Sequence, residues 1–97
     1  MKKSEPQQIE EIIHEVFRRS GQELNEARQR ACMMWMEVVG PTINRMTTRR
    51  RVDADGALHV YITSASLKQD LQFEREKIRQ ALNQLVGTEA LTSIIIH

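Results

Sequence analysis

Two changes of hydrophobic period predict that this 97-residue chain folds as a single α+β domain. Apolar residues recur at helical spacing as far as Pro41, alternate with period two from Arg49, and return to helical spacing after Ser64. The chain then closes on Ala90-Leu91-Thr92-Ser93-Ile94-Ile95-Ile96, β-branched and continuous enough to read as a buried strand. Asp55-Gly56 between two alternating runs marks a β-hairpin, because glycine reaches the left-handed backbone conformation that a tight turn requires. The expected architecture is two N-terminal helices, a short helical turn, a hairpin, a long helix and a C-terminal strand. It forms a three-stranded sheet packed on helices, in one domain over residues 1–97 with residues 1–5 a flexible start.

Ser4-Glu5-Pro6-Gln7 has the pattern of a helix N-terminus, with serine as cap, proline in the first turn and glutamine three residues on. Ile9, Ile12, Ile13, Val16 and Phe17 supply one apolar face, and Gly21 is placed to end this helix in the left-handed conformation. A second helix is expected over about residues 23 to 39, with Leu24, Ala27, Arg28, Ala31, Trp35, Val38 and Val39 on one side. Gly40-Pro41 stops it, since proline disfavours helical geometry in the residue before it. Pro41 then opens a short turn, with Ile43 and Met46 inward and Asn44, Arg45 and Thr47 outward. In the hairpin Leu58, Val60 and Ile62 face a core, while His59, Tyr61 and Thr63 occupy the polar face. The last helix starts at Ser64 and ends at Gly87, with Leu67, Leu71, Ile78, Ala81, Leu82 and Leu85 as its buried stripe. A strand, a helical crossover and a second strand are expected to pair in parallel.

Composition narrows the function classes. A net charge of +1 is too small for a polycation that coats nucleic acid, so any electrostatic steering depends on where the charges sit. One cysteine, Cys32, allows no intramolecular disulfide and fits a reducing compartment. The opening Met1-Lys2-Lys3 leads into polar residues, unlike a signal peptide, and no apolar run approaches bilayer length, so a cytoplasmic protein without membrane contact is expected. Glycines 21, 40, 56 and 87 stand alone, which leaves no phosphate-cradling loop for a nucleotide or other small-molecule substrate. His14, His59 and His97 have no metal-ligand spacing. Asp53 reads as an exposed strand residue, and Cys32 and His59 as a buried thiol and a surface imidazole in preference to a catalytic pair. No catalytic residue, metal or cofactor is therefore expected, and a binding protein is.

Two sets of residues are candidates for binding. Arg45, Arg49, Arg50 and Arg51 cluster at the entry to the hairpin, with Lys68, Arg75 and Arg79 extending the patch if the last helix lies alongside. Such arginines neutralise phosphates, or they keep a sheet edge soluble. Tyr61 and His59 stack on bases, or Tyr61 packs at the core edge. Met33, Met36 and Phe73 fall off the buried stripes. They belong to a partner-binding surface, where methionine and aromatic residues are enriched, or Phe73 packs beneath the first helix.

The ordered string Trp35-x-x-Val38-Val39-Gly40-Pro41, Ile43, Thr47, Val52, Asp55-Gly56-x-Leu58-x-Val60, Ser64 and Leu71 resembles the DciA family of bacterial replication factors. The closing Leu82, Leu85, Gly87 and Ile94-Ile95-Ile96 continue the resemblance, which runs from about Ile9 to Ile96. It implies a KH-like fold and a non-enzymatic role with the replicative DNA helicase, assisting its loading onto single-stranded DNA without nucleotide hydrolysis. The chain departs from ordinary KH domains in having no GxxG loop, so their clamp on four nucleotides is not expected here. Many family members also carry a long basic extension after the last strand, which these residues do not include.

Overall fold

The computed structural model describes residues 21–97. The helix expected near the N-terminus, with its Ser4 cap and its Ile9 to Phe17 stripe, lies outside the described residues, as does His14. Helix α1 (21–33) leads through Met34 into α2 (Trp35–Arg45), followed by β1 (Thr47–Val52), β2 (Ala57–Ile62), α3 (Ala65–Val86) and β3 (Ser93–Ile96). Gly21, expected to close a preceding helix, is itself helical and lacks the positive φ of such a cap.

The break between residues 39 and 41 falls where the sequence places it. Gly40 has φ 88° and ψ 167°, outside helical geometry, and Pro41 starts a fresh turn that ends at Arg45. This turn differs from expectation in its orientation. Thr47 accepts the Trp35 indole N–H at 2.9 Å and donates its hydroxyl to the Ile43 carbonyl at 2.8 Å, so it faces inward and satisfies the only polar side-chain atom of a fully buried tryptophan. Met46 is exposed instead.

The sheet has the order β1-β2-β3, with β1 antiparallel to β2 and β2 parallel to β3 across the α3 crossover. Leu58, Val60 and Ile62 from β2, and Ile94 from β3, join Ala31, Trp35, Leu71, Ile78, Leu82 and Leu91 in one core. The helices thus cover one face of the sheet, as a strand with alternating apolar residues demands. Ser64 caps α3 by accepting the Leu67 N–H at 3.2 Å, and Gly87 ends it with φ 83°. The buried stripe of α3 is shorter than expected. Leu85 is 51% exposed, while Asn83, two residues earlier, is buried.

Asn83 ties the incoming loop to the helix. Its amide donates to the Leu91 carbonyl at 3.0 Å and its oxygen accepts the Leu91 N–H at 2.8 Å. Ala90 and Leu91, expected within the last strand, are buried in this loop, and the strand itself begins only at Ser93.

The hairpin turn is built by Asp53, which is therefore a turn residue and not a plain exposed strand residue. Its Oδ1 accepts the N–H groups of Asp55 at 2.9 Å and Ala57 at 3.0 Å, and its carbonyl accepts Gly56 N–H at 3.1 Å. Gly56 completes the turn at φ 88°, where a Cβ would also lie 2.8 Å from the Arg28 guanidinium. Arg28 reaches this point from α1, donating to Ala90 O at 3.0 Å and to Ala54 O at 3.3 Å, so it clips helix, turn and loop together.

Candidate nucleic-acid interface

Successive strand residues point to opposite faces, and this pleat divides the arginine run. In the antiparallel register Arg49 lies opposite Tyr61, Arg50 opposite Val60 and Arg51 opposite His59. Val60 is core, so Arg50 points to the helix side of the sheet, where it donates to Asn44 Oδ1 at 3.4 Å. Its charge also bears on Cys32, whose thiol is pushed up by burial and held partly down by the guanidinium. Arg50 is therefore not part of one patch with its neighbours. Arg49 and Arg51 stand exposed on the outer face, which the described helices do not cover.

Tyr61 holds these two arginines. The Arg49 guanidinium carbon lies 5.6 Å from the Tyr61 ring centroid, and Arg51 Nε donates to the Tyr61 hydroxyl over 3.4 Å. From the β3 side the His97 ring stacks on Tyr61, with centroids 4.4 Å apart and planes 10° from parallel. β1 and β3 flank β2 on opposite sides, so Arg49 and His97 cover the two faces of the Tyr61 ring. The phenol stands in a stack of its own and offers no free face to a base. Its contacts are with the cations beside it.

His59 differs most from expectation. It lies on the outer face as the alternation requires, yet it is only 8% exposed. Its Nε2 is 2.8 Å from Asp53 Oδ2, and its Nδ1 is 2.8 Å from His97 Nε2. Both ring nitrogens are thus engaged, which rules Cys32 out as their partner and leaves His59 unable to stack on a ligand. The Asp53 carboxyl is held below the usual carboxylate range, first by the His59 hydrogen bond and then by the turn amides. Asp53, His59 and His97 form one chain of hydrogen bonds from the turn to the end of β3. Among the described residues no cluster of such groups is arranged to hold a metal ion.

The remaining candidates lie elsewhere. Arg45 is in the last turn of α2, where its guanidinium is 3.5 Å from Thr42 Oγ1. Lys68 and Arg75 are on α3, on the helix side, and do not extend the outer-face pair. Arg79 is committed to structure through ion pairs with Glu76 and Glu89 and a 3.3 Å bond to Leu91 O. Met33 and Phe73 are 77% and 81% exposed, and Met36 is exposed as well. Phe73 is therefore not packed into the described core, and the helix beneath which it is alternatively expected to pack lies outside the described residues. Phe73 borders an open groove with Gln72, Arg75 and Glu76 of α3 and Ser93 and Ile94 of β3.

His97 and Asp53 are the site residues that sequence reasoning missed. The one available signal was the alternation Ser93, Ile95, His97, which places His97 beside Tyr61 once the parallel register is known.

Against known proteins, the family model described as "Dna[CI] antecedent, DciA" matches residues 8–96 of the chain. No curated protein matches it.

Proposed function

The chain belongs to the DciA family, whose role is that of a loader for the replicative helicase in general terms, and from that premise we propose a specific division of labour. The protein is a non-enzymatic adaptor that binds the replicative DNA helicase and assists its placement on single-stranded DNA. The outer face of the sheet meets the DNA backbone through Arg49 and Arg51. The observation that carries this reading is the ordering of both guanidinium groups by one tyrosine. Arginines already held in place lose less side-chain freedom on binding, and each phosphate they neutralise releases condensed counterions.

The helix order around the three-stranded sheet supports reading the fold as KH-like, with nucleic acid carried on side chains of the sheet in place of a GxxG clamp. Met33, Met36 and Phe73 are the surface we assign to the helicase. They are exposed apolar side chains on the helix layer, and their type is enriched at protein interfaces. DNA and helicase would then approach different sides of the domain.

Affinity between this chain and the replicative helicase of the same cell tests the partner assignment. A complex weakened by Phe73→Ala together with Met33→Ala is expected. The absence of a complex at about 50 μM, where even a weak specific encounter registers, would refute it. Competition between single-stranded DNA and RNA of one sequence separates this reading from that of a general RNA-binding module, which would prefer RNA and ignore the helicase.

A further inference from the structure

The hydrogen-bond chain from Asp53 through His59 to His97 has a property that follows from counting donors and acceptors. With both histidines neutral, His59 Nε2–H donates to Asp53, His97 Nε2–H donates to His59 Nδ1, and His97 Nδ1 carries no hydrogen. One added proton has two places to go. On His97 Nδ1 it leaves both bonds intact. On His59 Nδ1 it reverses the His59–His97 bond, and His97 then carries its remaining proton on Nδ1. In either arrangement every hydrogen bond survives, and His97 Nδ1 changes from acceptor to donor. A second added proton would leave two N–H groups facing each other across 2.8 Å and break the chain. The hydrogen-bond chain therefore has room for one added proton and no more, and its exposed end is His97.

The surroundings state what that proton is for. From β1, Arg49 and Arg51 bring positive charge to this face; from β2 come Tyr61 and His59; from the turn comes Asp53, two hydrogen bonds away. Ile95 of β3 adds no charge, and the main-chain oxygen of His97 is taken by the Ile62 amide at 3.0 Å. Asp53 offsets the first added charge, and the Tyr61 ring face stacked on His97 favours a cation there. We propose that His97 is a third phosphate-contacting group on the outer face, and that binding of a single-stranded nucleic acid backbone is accompanied by uptake of one proton by the His59–His97 pair. This rests on the outer-face reading given above and adds to it a residue and a pH dependence. Phosphodiesters keep their charge throughout the range in which imidazoles titrate, so the change comes from the protein.

The experiment uses the full chain and a fluorescently labelled oligothymidylate, whose base does not protonate near neutrality, at fixed ionic strength. Linkage of one proton tightens binding by at most about tenfold per pH unit, and a total gain of roughly three- to tenfold is expected between pH 8 and pH 6. His97→Gln is expected to bind more weakly than the unmodified protein, with an affinity that no longer rises between pH 8 and pH 6. Calorimetry of the unmodified protein, in buffers of different ionisation heat, counts the protons directly and does not depend on the variant folding. Proton uptake on binding supports the proposal. Binding with no uptake and no pH dependence, or a full pH gain retained by His97→Gln, overturns the role of His97 and leaves the arginine reading standing. No binding at either pH overturns both.

Discussion

At Asp53 a single carboxylate serves two structures. One oxygen builds the hairpin turn through the Asp55 and Ala57 amides, and the other holds the His59 ring. Both uses are stronger for the ionised form, so the His59 hydrogen bond and the turn amides hold the group below its ordinary range. The sign for stability follows. A carboxylate with a depressed folded-state pKa contributes stability that is fully present above the unfolded value, about 3.9, and is lost as pH falls through the folded value. Glu76, depressed chiefly by its hydrogen bond with Arg79, acts in the same direction. Denaturant midpoints between pH 7 and pH 3 are therefore expected to fall for the unmodified protein, and to fall less steeply for Asp53→Asn. Equal slopes for the two would show that Asp53 does not carry this linkage. The residue is also a case of limited legibility. Asp-x-Asp-Gly announces a turn, but the partner of the second oxygen is set by where the His59 ring goes, which no local pattern states.

The elements divide into those whose ends are written locally and those that depend on distant partners. Ser64, Gly40-Pro41 and Gly87 were legible because a cap, a helix break and a left-handed terminus each involve only neighbours in the chain. The β1 arginines read as one cluster in the sequence because adjacency along the chain carries no mark of the pleat that separates Arg50 from Arg49 and Arg51. A strand separates neighbours that a loop would leave together. β3 was found, but its start and its register were not, since both follow from contacts across the α3 crossover. The bond pair between Asn83 and Leu91 sets that start. Asn83→Ala leaves the Leu91 N–H buried without its partner, and such an orphaned group costs roughly 1–3 kcal/mol. Thermal unfolding is expected to show this loss, with faster amide exchange at Leu91 and along β3. A variant as stable as the parent would mean that the loop is anchored by Arg28 and Arg79 alone.

At the scale of the fold, the described helices take one face of a small sheet and leave the other to side chains that contact one another. Arg49, Tyr61 and His97 form a row across three strands, and Arg51 and His59 lie in the next row, so the site exists only when all three strands are in register. The family match over residues 8–96 speaks for the role of the domain, and the outer face is the surface we propose for its contact with DNA. The central claim is that this face, and not the arginine run as such, meets the DNA backbone. The most direct measurement is the salt dependence of single-stranded DNA binding for Arg49→Ala with Arg51→Ala, set against Arg50→Ala. Each phosphate contact to a single strand contributes about 0.7 to the slope of log K against log salt, so the double change is expected to flatten it by about 1.4. Arg50→Ala is expected to leave the slope unchanged. An equal loss from Arg50→Ala, or an unaltered slope in the double variant, would contradict the account.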